Sequence, residues 1–169
     1  MFLSTLGEDM KSFFTSRALQ IIYIAIFACF FCQLYKFVYY SIKYKKAAWF
    51  MLVSTGGFPS SHTSLVVSLT LIMGMLQFHD LGHPDWSFAV AFIVTVITVH
   101  DAMGVRYEAS KHAIILNNMV VNLSEEQKAD LGFGKKGKLK EMLGHRYTEV
   151  LGGILVGTII SLIGYFIVK

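Results

Sequence analysis

Pro59-Ser60-Ser61-His62 puts a helix breaker, two helix-capping hydroxyls and an imidazole within four residues. Gly56 and Gly57 just before it permit an irregular turn, and Ser60 or Ser61 can cap the helix that follows. Such a start aims backbone N–H groups and the positive helix end at an anion. His62, in the first turn, is placed to donate a proton to a leaving oxygen. A plainer reading of the same residues is a capped helix with an interfacial His. The second group is Gly144-His145-Arg146-Tyr147-Thr148-Glu149. Residues four apart share a helix face, so Glu149 can take a hydrogen bond from one imidazole nitrogen of His145 and leave the other free to attack. The competing reading is a carboxylate placed at a helix start by the dipole alone. The third group is Asp101 and Arg106, which either pair with each other or leave the Arg106 fork to grip two phosphate oxygens.

The elements that must carry these groups follow from the apolar runs. The 169 residues are 54% hydrophobic and only 15% charged, against a usual ~25% for soluble domains. About 20 mostly apolar residues cross ~30 Å of hydrocarbon. Ala18 to Ile42 and Thr148 to Val168 meet that length, and Trp86 to Met103 and Ser64 to Phe78 approach it as members of a bundle. The expected fold is therefore all-α: one integral membrane helical bundle of about four spans with interfacial amphipathic helices. Residues 1–16 read as one such interfacial helix. Val105 to Leu123 has apolar residues at helical spacing and reads as another. Ser124 to Gln127 resembles a capping box opening a short helix, inside a polar loop over 124–141 that is expected to be mobile.

The three polar groups all lie at ends of spans that counting places on one side of a bilayer. The connections on that side hold eleven of the fifteen Lys and Arg residues, so the positive-inside rule makes it cytosolic, with both termini opposite. Their convergence predicts a membrane-embedded site for an anionic, phosphorylated substrate. Four further features take simpler readings. Lys36 near the end of the first span is expected to snorkel toward the interface. Cys29 and Cys32 read as small apolar packing residues. His79, Asp80, His83 and Asp85 read as a tight polar turn rather than a metal site. Gly153 and Gly157 form a Gly-x-x-x-Gly, for close packing within the bundle or between copies in a homo-oligomer. Nothing in the chain suggests a nucleic-acid partner, and the basic stretch suits anionic lipid.

Pro-Ser-Ser-His followed by Gly-His-x-x-x-Glu-Val-Leu-Gly-Gly resembles the type 2 phosphatidic acid phosphatase superfamily, which includes the vanadium haloperoxidases. That superfamily carries Pro-Ser-Gly-His and then His-x-x-x-Asp-Val-x-x-Gly. Asp101-Ala102 with Gly104-Val105-Arg106, Leu116-Asn117 and Leu139-Lys140-Glu141 resemble its divergent branch. The resemblance, which runs from about Gly56 to Gly157, implies that His145 forms a phosphohistidine, that Glu149 orients it and that His62 is the acid. It also implies that Ser60 and Ser61 help bind phosphate, and that no metal or other cofactor is needed. Two motifs of the family are missing: a Lys followed after six residues by Arg-Pro, and a Ser-Arg before the nucleophile. Arg106, Lys140, Lys45 or Lys46 are the candidate replacements as phosphate binders. The expectation is hydrolysis of a lipid phosphate or lipid pyrophosphate in the membrane; the alternative is a non-catalytic protein that binds or translocates such a lipid.

Overall fold

The computed structural model describes residues 16–54, 56–121, 123–130, 139 and 146–169, with backbone alone at Val105, Arg106, Glu125 and Ala129. Among the described residues six α-helices follow in order: α1 (Arg17–Tyr44), α2 (Ser61–Leu81), α3 (Trp86–Met103), α4 (Val105–Val120), α5 (Glu125–Asp130) and α6 (Tyr147–Val168). One 3-10 turn, Trp49–Leu52, lies between α1 and α2. Four helical stretches are long and apolar enough to cross a membrane: α1, α2, the run containing α3, and α6. There is no strand among the described residues. The expected interfacial helix at 1–16 lies almost wholly outside the described residues, as do residues 131–138, 140 and 141 of the polar loop expected at 124–141, whose residues 125–130 form α5.

Local sequence explains most of the boundaries. α1 stops because Lys45 takes a left-handed conformation (φ 53°). Its N–H then donates to the Ile42 carbonyl and the Lys46 N–H to that of Ser41, a Schellman closure made without the usual glycine. α2 is capped by Ser60 at its start and by Gly82 (φ 78°) at its end. Asp85 caps α3, its carboxylate accepting from the Trp86 N–H at 2.6 Å. Before α5, Ser124 and Gln127 exchange backbone-to-side-chain hydrogen bonds of 2.9 and 3.3 Å, the capping box expected from their spacing.

The bundle is inside-out relative to a soluble protein. Ala25, Ala28, Cys32 and Lys36 recur every three or four residues on the buried face of α1. Phe27, Phe30, Phe31 and Leu34 point outward. In lipid no hydrophobic force drives helices together, so small residues that let backbones approach supply the interface instead. α2 is the central helix, packing against α1, α3 and α6. Hydroxyls bind it to its neighbours: Thr70 Oγ1 to Thr95 Oγ1 at 2.8 Å toward α3, and Ser161 Oγ to Ser68 Oγ at 2.9 Å toward α6.

Glycines set the approach of α6 to α2. A Cβ on Gly153 would lie 2.5 Å from the Ser60 carbonyl oxygen, and one on Gly157 would lie 2.7 Å from that of Ser64. Those obstacles are backbone and cannot swing away. Gly153 and Gly157 thus serve packing inside the bundle, the first of the two roles their spacing allowed. Gly153→Val or Gly157→Val should lower the thermal unfolding midpoint in detergent, by a cost of about 1–3 kcal/mol typical of overpacking. Gly74→Ala makes a milder control, because the Cβ there meets only the Phe88 ring, which can turn.

At one end of the bundle Arg17 ties three helices. Its guanidinium pairs with Asp80 (Nε to Oδ2 3.0 Å) and donates to the Val168 carbonyl at 2.6 Å. His79 Nδ1 lies 2.8 Å from Asp80. The polar turn after α2 is therefore an ion-paired helix junction, and no group of three His, Cys, Asp or Glu among the described residues lies close enough to hold a metal ion. Since α1 begins there while α2 and α6 end there, the starts of α2 and α6 meet at the opposite end.

Candidate functional site

That opposite end holds the Pro59–His62 turn and the first turn of α6, and α3 ends there. The Ser60 N–H donates to the Glu149 carbonyl oxygen at 2.8 Å, joining the Pro-Ser-Ser-His turn directly to the first turn of α6. Two positive helix ends, of α2 and α6, thus open side by side. The turn itself needs Gly57, whose φ of 91° suits glycine, and contains a cis Phe58–Pro59 peptide. The Phe58 ring lies over Gly152, where a Cβ would come within 2.4 Å of it.

The hydroxyls of the motif do different work. Ser60 is fully buried and acts as the helix cap, its Oγ accepting from the Thr63 N–H at 3.3 Å and from Thr63 Oγ1 at 2.9 Å. Ser61 is also fully buried. Its Oγ, like that of Ser64 one turn on, has no hydrogen-bond partner beyond weak contact with the thiols of Cys29 and Cys32. A buried hydroxyl left so poorly satisfied costs stability, and Ser61 holds its hydroxyl at a helix N-terminus, where an anion is favoured.

Lys36 is the residue the sequence reading misplaced. It does not snorkel: its side chain is 0% exposed, the largest fully buried side chain among the described residues. Nζ donates to the Gly56 carbonyl oxygen at 3.3 Å, and the stem passes 3.6 Å from where a Gly57 Cβ would be. The Glu149 carboxylate lies within electrostatic reach. The physical reason is register: Lys36 is four residues after Cys32 and eight after Ala28, on the small-residue face that must turn inward. An ammonium has three protons to donate and is expensive to bury. One carbonyl is meagre compensation. Its position on the small-residue face was the signal that could have found it.

Glu149 lies at the third position of α6, and its Oε2 accepts from the Arg146 N–H at 3.3 Å, half of a capping box. That bond is a helix-start role for the carboxylate. His62 is exposed. It shares a stripe with Val66 and Thr70, which face α3 through Thr95, so it stands on the α3 side of the opening. Asp101 is partly buried near the end of α3, at the same end of the bundle. Arg106 follows the break at Gly104 in the first turn of α4, with its side chain undescribed. His145 and Lys140 lie outside the described residues.

One further contact was not foreseen. The buried Asn117 side chain on α4 exchanges two hydrogen bonds with the backbone of Leu139, donating to its carbonyl at 2.9 Å and accepting from its N–H at 2.7 Å. The amide thereby holds the chain one residue before Lys140 and six before His145. Asn117→Ala removes both bonds. Amide exchange at Leu139 should then speed up by on the order of tenfold, the equivalent of about 1.4 kcal/mol of local protection.

The fold is that of a helical membrane protein, with two helix starts, a buried lysine and an under-satisfied serine gathered at one end of four helices long and apolar enough to cross a bilayer. Residues 18–160 match the divergent PAP2 family, and the chain belongs to that family. It is 36% identical over 146 residues to the uncharacterized membrane protein YuiD of Bacillus subtilis (strain 168), an alignment covering 82% of this chain and 90% of that one. No solved structure matches the chain.

Proposed function

We propose that this protein hydrolyses a lipid phosphate or lipid pyrophosphate at the membrane surface, by way of a phosphohistidine. The observation that carries the reading is Lys36, an ammonium buried against the Gly56–Gly57 turn that has one carbonyl for a hydrogen-bond partner among the described residues. It lies within electrostatic reach of Glu149 in the first turn of α6, at the end of the bundle where α2 and α6 begin and where Ser61 keeps its under-satisfied hydroxyl. A phosphoryl group would satisfy all of these at once. The Lys36 ammonium also supplies a cation that the missing family motifs otherwise leave wanting.

In the proposed reaction one nitrogen of His145 attacks phosphorus, and the bond from phosphorus to the leaving oxygen breaks. His62 gives its proton to that oxygen. Water then attacks the phosphohistidine, the P–N bond breaks, and inorganic phosphate leaves while His62 takes the water's proton. Glu149, in the first turn of α6, orients His145. Ser61, Lys36 and Arg106 bind the phosphoryl oxygens, with Lys140 as a further candidate. Ser60 acts on the phosphate indirectly, by capping the helix that points at it. The chain crosses the membrane four times, and the excess of Lys and Arg on the site's side supports a cytosolic opening.

The test is a purified-protein assay over a panel of lipid phosphates and pyrophosphates, with vanadate and chelator arms, followed by acid-quench trapping of ³²P on protein. Turnover inhibited by vanadate, indifferent to chelator and accompanied by acid-labile label is expected. Tight binding without release of phosphate would instead support a binder or translocator, the reading favoured by the missing Arg-Pro and Ser-Arg motifs. Neither turnover nor binding would overturn both.

A further inference from the structure

A crevice of about 340 Å³ opens between α1 and α6 toward the Arg17 end, walled by apolar residues including Tyr23, Phe27, Ile160 and Ile163. It is of the size of a small-ligand cleft, yet its position alone would make it only a place for bulk lipid. Helical register gives it a direction. On α1, Phe27, Phe31 and Tyr35 follow at four-residue intervals, leading one turn at a time toward the level of Lys36. On α6, Ile163, Ile160, Val156, Gly152 and Glu149 follow at three- and four-residue intervals, leading to the same place. The Phe58 ring stands at the upper end, over Gly152 and edge-on to Tyr35 with centroids 6.4 Å apart. These two rows of residues run from the crevice to the level of the site and mark one seam between α1 and α6.

We infer that this α1–α6 seam is the track for the hydrocarbon chain of the same lipid phosphate whose headgroup sits at Lys36 and Ser61. The inference rests on the proposed function only in requiring a lipid phosphate at the site; hydrolysis is not needed. Glu149 and Ile163 are fourteen residues apart on one helix, about 20 Å along its axis. One leaflet contributes roughly 15 Å of a ~30 Å hydrocarbon core. A chain that fills the crevice while its phosphate stays at the site must reach past the bilayer midplane. The seam thus selects long chains, and short ones end before the crevice.

The experiment is photolabelling of the full chain in nanodiscs. One probe is a long-chain lipid phosphate with a diazirine near the tail end; the other is the neutral alcohol of the same chain. Anchoring the headgroup raises the local concentration of the tail. Labelling around Phe27 and Ile163 by the phosphate probe should exceed that by the neutral probe on the order of tenfold. The excess should disappear in Lys36→Met and in the crevice-filling Ile160→Trp, and survive Ile93→Trp on the outer face of α3. Equal labelling by both probes would reduce the crevice to a site for bulk lipid and overturn the inference, as would phosphate-dependent labelling elsewhere. Phosphate-dependent seam labelling by a protein that hydrolyses nothing would keep the inference and discard the hydrolase. Hydrolysis with labelling off the seam would do the reverse.

Discussion

Lys36→Met should lower turnover of a lipid phosphate by about 10²–10³-fold while leaving thermal stability unchanged or raised. The two halves of that expectation have one cause. An ammonium held in a dry, low-dielectric place stabilises charge developing on a phosphoryl group strongly, and removing one such preorganised group typically costs about that factor. In the empty protein the same burial is a liability, because the charge has left water for a single carbonyl 3.3 Å away and a carboxylate within reach. An apolar side chain of similar length relieves the desolvation and fills the same volume, a replacement that is often neutral or stabilising. A lysine kept only to brace the Gly56 turn behaves differently: its loss would lower the unfolding midpoint and leave turnover per folded molecule intact. That result would remove Lys36 from the site. Lys36→Arg is not a conservative rescue, since the side chain is fully buried with its stem beside Gly57, and a planar fork needs more width than an ammonium.

The error over Lys36 marks where this chain is legible and where it is not. The spans were readable because bilayer thickness fixes their length, and α1, α3 and α6 begin and end within a few residues of the apolar runs. The apolar run Ser64 to Phe78 is shorter than α2, whose first turn, Ser61-His62-Thr63, is polar and starts where the Ser60 or Ser61 cap is expected. The meeting of the Pro-Ser-Ser-His turn with the start of the last span was also readable, from counting alone, and the hydrogen bond from Ser60 to Glu149 gives it atomic form. The inner face of each span was much harder. In water the buried face differs from the exposed one in polarity, whereas in a membrane both are apolar and the contrast is one of size. Ala25, Ala28 and Cys32 against Phe27, Phe30 and Phe31 carry that contrast, and hydropathy does not register it. The division of labour between Ser60 and Ser61 was equally hidden. Both can cap a helix, and only the backbone path through Gly57 and Pro59 decides which hydroxyl caps and which is left unsatisfied. The Asn117 clamp on Leu139 joins residues twenty-two apart through backbone atoms, a contact that no side-chain pattern announces.

The two histidines should separate cleanly once leaving groups are varied. In the proposed reaction His145→Ala removes the attacking nitrogen, so turnover should fall on the order of 10⁴–10⁶-fold, the scale seen when a nucleophile is deleted, and no labelled protein should be trapped from any substrate. His62→Ala removes only a proton donor. Where the leaving group is an alkoxide of a lipid alcohol, protonation is needed as the bond breaks, and the loss should be about 10²–10⁴-fold. Where the leaving group is a stable anion, such as a nitrophenolate or the phosphate end of a pyrophosphate, no proton is needed and the loss should shrink. Phosphohistidine should still form in the His62 variant and persist longer, because the second step also lacks its base. The placement of His62 sharpens the contrast. It stands exposed in the first turn of α2, whereas Glu149, the proposed orienting group, stands in the first turn of α6. Equal losses from both variants across all leaving groups would mean that His62 acts on the start of α2 and not on the leaving oxygen. A fully active His145 variant would move the nucleophile elsewhere and leave Lys36 and Ser61 as a binding site for lipid phosphate alone.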